Sequence, residues 1–213
     1  MSTVLKLDHL VYAVPNLTDA IDSFEEQLGQ APTHGGRHEG LGTHNAILPL
    51  ANECYVELIA SDPDGRQPSH PRPFGLDSLE GARLVTWAVR SHAIEKDVER
   101  VRTRGFDPGA ILEMSRRSPT GEILKWKLAL QAKPVGDGIV PFVIDWGRTP
   151  HPAATGTGPP LELELESLTG GHPNRESLRP ALDALNVRLE LEVLTQPSLR
   201  AVIQGPRGRL TLT

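Results

Sequence analysis

One succession of hydrophobic periods occurs three times along the 213 residues of this chain, and it restricts the fold more than any single motif does. The first copy opens with an apolar run from Leu5 to Val14, closed by Pro15, which cannot donate to a strand ladder. Leu17, Ile21, Phe24 and Leu28 then recur at helical spacing, with Asn16 or Thr18 to cap the start and Gly29 to stop the end. GGRHEG reads as a strand end or loop, and THNAILPL and CYVELIA read as strands. After the Pro-rich link DPDGRQPSHPRPFG the order returns. ARLVTWAVR is a strand, Ile94, Val98 and Val101 form a helical stripe closed by Gly105, and AILEMSRR, EILKWKLAL and IVPFVIDWG supply three further strands. A weaker third copy follows TPHPAATGTGPP. It consists of LELELESL, a stripe at Leu178, Leu182 and Leu185, then RLELEVL, LRAVIQ and RLTLT.

The pattern βαβββ, written three times, predicts an α+β fold with helices on one side of curved, mostly antiparallel sheets. It leaves little room for a doubly wound nucleotide-binding core, and no GxGxxG or GxxxxGK[ST] opens a helix. The expected organisation is residues 1–150 as one domain of two modules, about 4–61 and 82–147, with a third, smaller module over 159–213. HPAATGTGPP reads as the linker between them.

The formal charge of -5 lacks the basic excess that marks a nucleic-acid partner. Cys54 is the only cysteine, which rules out an intrachain disulfide and a Cys-rich zinc knuckle and fits a reducing, cytoplasmic compartment. No secretory signal and no run of membrane-spanning length is present, so no membrane partner is expected.

His9 stands out because a polar ring in an apolar strand must find a hydrogen bond or perform chemistry. Glu57 is its counterpart, a carboxylate between Val56 and Leu58. Alternation places His9 on one face with Val11 and Ala13, and Glu57 with Tyr55 and Ile59. If both faces line a cavity the two form an acid/base or hydrogen-bonded couple. His34, His38 and His44 lie in the Gly-rich THGGRHEGLGTHN, a metal cluster or a loop with incidental histidines. Asn45 either orients a substrate carbonyl or closes a hairpin. Trp87, Trp126 and Trp146 read as core or as the apolar wall of a ligand pocket. Arg116, Arg117, Lys125 and Lys127 read as a solvated hairpin around SPTG, with attraction of an anionic substrate as the alternative.

The strings LDHLVYAVPNLTDAIDSFEEQLG, GGRHEGLGTHNAIL, YVELIA, RLVTWAV and PFVIDWG together resemble glyoxalase-like domain proteins of the vicinal oxygen chelate superfamily (glyoxalase, bleomycin resistance and extradiol dioxygenase proteins). The resemblance implies two modules paired into an open curved barrel around a cavity, often with a divalent metal held by first and last strands. Carried over residue by residue, His9 is the first-strand ligand and Glu57 the last-strand ligand of module one. Aligning YAV at 12–14 with WAV at 87–89 puts Leu84 at the corresponding first-strand place of module two, and its last-strand place falls on Ile144 or Asp145. A metal site of His9 and Glu57 with Asp145 or His44 as third ligand is therefore expected, suited to zinc, iron, manganese or nickel. The implied function is a metal-dependent enzyme acting on a small oxygen-bearing organic substrate, of isomerase, lyase or dioxygenase type. The rival is a metal-free protein that binds or sequesters a small molecule in the same cavity. For the third module the expectation is a structural role or a homodimer contact.

Overall fold

A computed structural model describes residues 4–38, 40–154 and 162–213. The first module runs β1 (Lys6–Ala13), α1 (Leu17–Leu28), β2 (Thr33–His38), β3 (Thr43–Leu50) and β4 (Cys54–Ser61). The second repeats it with β5 (Arg83–Arg90), α2 (Ile94–Thr103), β6 (Ala110–Arg117), β7 (Ile123–Leu130) and β8 (Phe142–Asp145). In α1 the side chain of Asn16 accepts from the amides of Thr18 and Asp19, and Gly29 takes the left-handed conformation that ends the helix.

The eight strands form one closed barrel in the order β1-β4-β3-β2-β6-β7-β8-β5. Within each module the first and last strands pair in parallel, β1 with β4 and β5 with β8. The modules meet through the antiparallel pair β1 and β5 on one side. On the other side a single bridge, Arg37 to Arg117, joins β2 to β6 and closes the curved barrel that the resemblance implied. The glycines of THGGRH, which read as a strand end or loop, are a full strand at this seam. Gly36 has a φ of +135°, and a Cβ there would lie 2.1 Å from the carbonyl oxygen of Arg117. Only glycine permits that approach.

Two apolar clusters divide the barrel wall. Leu10, Leu48, Leu58, Trp87 and Val89 face outward against α1, α2 and the third unit. Val11, Ala13, Tyr55, Ile59, Phe142 and Ile144 face inward. Alternation thus puts His9 and Glu57, which share faces with the inward residues, inside the barrel.

The third unit comprises β9 (Glu164–Gly171), α3 (Arg179–Leu185), β10 (Glu190–Glu192), β11 (Ser198–Gly205) and β12 (Gly208–Leu212). Its order along the chain is that of the modules, but its sheet runs β10-β9-β11-β12, with β9 and β10 parallel. It docks on the helix side of the barrel. The amide of Ala51 donates to Leu163 O, that of Leu84 to Thr213 O and that of Arg207 to Leu28 O. Leu163, Leu185, Ile203 and Leu212 join the same apolar cluster as Leu10, Phe24 and Leu28. The linker expected over HPAATGTGPP falls mostly outside the described residues.

Candidate functional site

The site begins with an irregularity in β1. Its register against β5 shifts between Leu7 and His9, so Asp8 is an extra residue in the ladder. The bulge brings two neighbouring side chains together, and His9 Nδ1 lies 2.7 Å from Asp8 Oδ1. Asp8 is fully buried and saturated. Trp146 Nε1 also donates to Oδ1, while Arg90 Nε and His151 Nε2 reach Oδ2 at 2.8 and 3.0 Å. The Nδ1 of His151 accepts from the amide of Ala153, and its Nε2 lies between Asp8 and Arg90 Nη2, the latter 2.7 Å away. Burial pushes the Asp8 carboxyl up, but hydrogen bonds from His151 and His9 and their charge outweigh it and hold the group well below its ordinary range.

With Nδ1–H held by Asp8, the opposite nitrogen of His9 points into the barrel, and Nε2 lies 3.8 Å from Glu57 Oε2. The ring stacks on Tyr55 at 4.7 Å and meets the edge of Phe142 at 5.5 Å. Glu57 Oε1 accepts from Asn45 Nδ2 at 2.5 Å and faces His38 Nε2 at 3.9 Å. His38 is fixed by Thr43 Oγ1, 3.0 Å from its Nδ1. Burial lowers the His38 pKa from 6.5, with Glu57 opposing and Arg116 and His44 assisting, so the ring is neutral at pH 7. Burial, reinforced by the charges of Asp8 and Glu57, raises the Tyr55 phenol and keeps it protonated. His9 is 3 % exposed and Glu57 13 %, which makes the carboxylate the more accessible of the pair.

An open cleft of about 1020 Å³ adjoins this cluster, with Ile47, Met114, Arg116, Trp126 and Trp146 in its wall. The Trp126 and Trp146 rings lie 5.3 Å apart, and Trp126 is 6.1 Å from the His38 ring. Arg116, Trp126 and Trp146 are thus the boundary between the cleft and the His9–Glu57 layer. Arg116 is 7 % exposed and lies in the field of Glu57. Burial draws its pKa down from 12.5 and Glu57 holds it up, and the guanidinium stays charged.

Of the residues singled out from the sequence, His9, Glu57 and Asn45 come together, and Trp126 and Trp146 line the cleft. Trp87 does not. It lies in the outer cluster and donates to Ile139 O at 2.8 Å, because its place on β5 alternates outward. His44 alternates away from its neighbour Asn45, and burial, together with the charges of Arg37 and His34, lowers its pKa against Asp62. Asp145 is occupied elsewhere: Oδ2 accepts from the amide at the start of α2, Ile94, and Oδ1 from Gly147. Leu84 also lies in the outer cluster, because a second bulge leaves Val85 between the pairs Tyr12–Leu84 and Val11–Thr86. Ile144, on the inner face of β8, is apolar. Asp8, Tyr55 and His151 complete the site and were not assigned to it from sequence, and His38 and Arg116, read there as incidental to a loop and a solvated hairpin or else as metal ligand and anion attractor, belong to it as well.

The expected metal set of His9, Glu57, Asp145 and His44 therefore does not converge. Adjacent donors around an ion with bonds of about 2.0–2.2 Å sit roughly 3.0–3.4 Å apart. The imidazole nitrogens of His9 and His38 stand farther than that from Glu57. Among the described residues no three His, Cys, Asp or Glu side chains are arranged to hold an ion.

Two βαβββ modules closed into a barrel around an inward-facing polar cluster define a protein of the vicinal oxygen chelate type. Residues 7–186 match the family model described as a glyoxalase-like domain, and the chain belongs to that family. Membership supports a small-molecule-binding or enzymatic role. Among solved structures, a hypothetical protein from Staphylococcus aureus is 13 % identical over 99 % of both chains with a TM-score of 0.69, a likeness of fold that includes the third unit. Methylmalonyl-CoA epimerase from Mycobacterium tuberculosis is 19 % identical over 73 % of this chain and 96 % of its own, with a TM-score of 0.48. No curated protein matches the chain. No described helix is long and apolar enough to cross a membrane.

Proposed function

We propose that this chain catalyses proton transfer on a small oxygen-bearing organic molecule that enters from the cleft and reaches past its Arg116 wall to Glu57, a reaction of isomerase or lyase type, with Glu57 as the base. The observation that carries this reading is the Asp8–His9–Glu57 line, in which a buried carboxylate fixes one imidazole nitrogen and aims the other at Glu57 across 3.8 Å. Glu57 takes a proton from the carbon beside a carbonyl, and the C–H electron pair moves into the carbonyl to form an enolate. Asn45 holds the carboxylate in place, and His9 Nε2 faces it from behind. Return of the proton to the oxygen or to a neighbouring carbon completes an isomerisation. A divalent ion, and dioxygen chemistry at iron, are finer expectations that the donor geometry does not carry, so no step runs through them.

The test is exchange of the C3 protons of 2-oxobutanoate with D2O, followed by NMR on untagged protein. The wild type accelerates exchange, and Glu57→Gln lowers the rate at least about 100-fold. Exchange at the wild-type rate in Glu57→Gln sinks the proposal. Binding without exchange in the wild type points to the sequestering role instead. Metal content, with exchange repeated after chelator treatment, decides whether an ion takes part.

A further inference from the structure

The inner cluster leaves one cation unanswered. Arg72, Arg90 and Arg100, all largely withdrawn from solvent, each hold a carboxylate, Asp77 at 2.5 Å, Asp8 at 2.8 Å and Asp97 at 2.8 Å. Arg116 is more deeply buried, yet among the described residues no hydrogen bond or ion pair reaches its guanidinium. The nearby charge of Glu57 acts on it only at longer range. A guanidinium presents five donors, which a counter-group entering the cleft can meet. Its side chain is part of the cleft wall, so the cleft is where a counter-group enters. Two fully buried polar atoms among the described residues also have no partner, Asn45 Oδ1 and Arg100 Nη1.

We infer that Arg116 anchors a carboxylate of the bound molecule, so that the cleft takes small organic acids whose reacting carbon lies against Glu57. The inference rests on the proposed reading of the same site and adds the substrate class to it. A planar carboxylate matches the guanidinium fork with two parallel hydrogen bonds. Phosphate fits less well. A phosphate dianion brought to Arg116 also meets the Glu57 carboxylate. The charged residues of the cleft wall are balanced, Glu95, Glu113, Glu122 and Asp145 against Arg116, Lys125, Lys127 and Arg148, and offer no surplus for a second negative charge. A monoanion anchored at Arg116 also directs the carbons beyond its carboxylate toward Glu57, whose charge acts on Arg116 from the inner side of the same wall.

Trp126 and Trp146 in the cleft wall supply the signal, so the full chain is titrated by tryptophan fluorescence with 2-oxobutanoate, its methyl ester and inorganic phosphate. The acid is expected to bind the wild type at least about tenfold more tightly than the ester. Arg116→Gln abolishes that preference by weakening the acid alone, and Arg116→Lys restores part of it. Melting curves establish that each variant is folded, and Arg116→Met replaces any variant that is not. Equal binding of acid and ester to the wild type, a preference that survives in Arg116→Gln, phosphate binding as tight as the acid, or no acid binding up to about 10 mM each overturns the inference. Glu57→Gln separates the two readings. Exchange unaffected by Glu57→Gln, alongside an Arg116-dependent acid preference in binding, defeats only the proton-transfer proposal, and exchange that Glu57→Gln abolishes, without that preference, defeats only the carboxylate anchor.

Discussion

Asp8 and His38 show how single groups tie this site to the stability of the barrel. Asp8 answers Arg90, His9 and His151 at once, so Asp8→Asn strands buried donors and costs about 3 kcal/mol or more. Its carboxyl sits below its ordinary value of 3.8 in the fold, and its contribution is therefore present above that pH and lost as pH falls toward the folded value. His38 has the same sign in a different window. Burial lowers its pKa from 6.5, the unfolded chain binds the extra proton, and stability present above pH 6.5 is lost as pH falls through the folded pKa. Melting temperature measured from pH 7.5 downward should thus fall first below 6.5, and His38→Asn should make that first decline shallower, with His44 contributing the remainder in the same direction, while leaving the lower one, which Asp8→Asn removes. An unchanged profile in His38→Asn shows that the ring does not titrate with folding.

The strand-helix-strand order was legible because periodicity and capping residues report local structure: Asn16 and Gly29 bracket α1 as their chemistry requires. His9 and Glu57 were legible for a related reason, since alternation carries a residue to one face without knowledge of its partners. What breaks alternation was hidden. The bulge at Asp8 turns two consecutive side chains into a hydrogen-bonded pair, and the bulge at Val85 shifts the correspondence that set Leu84 against His9. Glycines blurred the seam, where GGRHEG reads as a strand end or loop because local composition does not reveal that β6 passes close by. Gly36→Ala tests that account. The φ of +135° and the approach to Arg117 O predict a loss of about 1–3 kcal/mol, whereas Gly81→Ala, with nothing within 4 Å, stays within about 0.5 kcal/mol. Urea unfolding of both variants makes the measurement, and equal midpoints show that the seam tolerates a side chain. Arg116 and His38 flank this closure, so the same substitution should also weaken acid binding in the cleft.

At the scale of the whole molecule, the third unit, expected over residues 159–213, shares an apolar cluster with the barrel. The outward faces of β1 and β5 and the stripes of α1 and α2 do not end in solvent but meet Leu163, Leu185, Ile203 and Leu212 in one cluster. A unit whose apolar face is another unit's cover has no independent core to fold around. The chain should therefore unfold in one transition, and its aromatic residues make that easy to read. All three tryptophans belong to the barrel, Trp87 on β5, Trp126 on β7 and Trp146 just beyond β8, and the sequence from 162 to 213 contains no Phe, Tyr or Trp. Tryptophan fluorescence thus follows the barrel alone. Leu212→Ala removes a fully buried side chain from β12, in the third unit, and should cost about 2–5 kcal/mol. If the core is shared, that loss appears undiminished in the fluorescence midpoint, coincident with the far-ultraviolet circular dichroism transition. If the third unit folds by itself, circular dichroism splits into two steps and the fluorescence midpoint stays at its wild-type value.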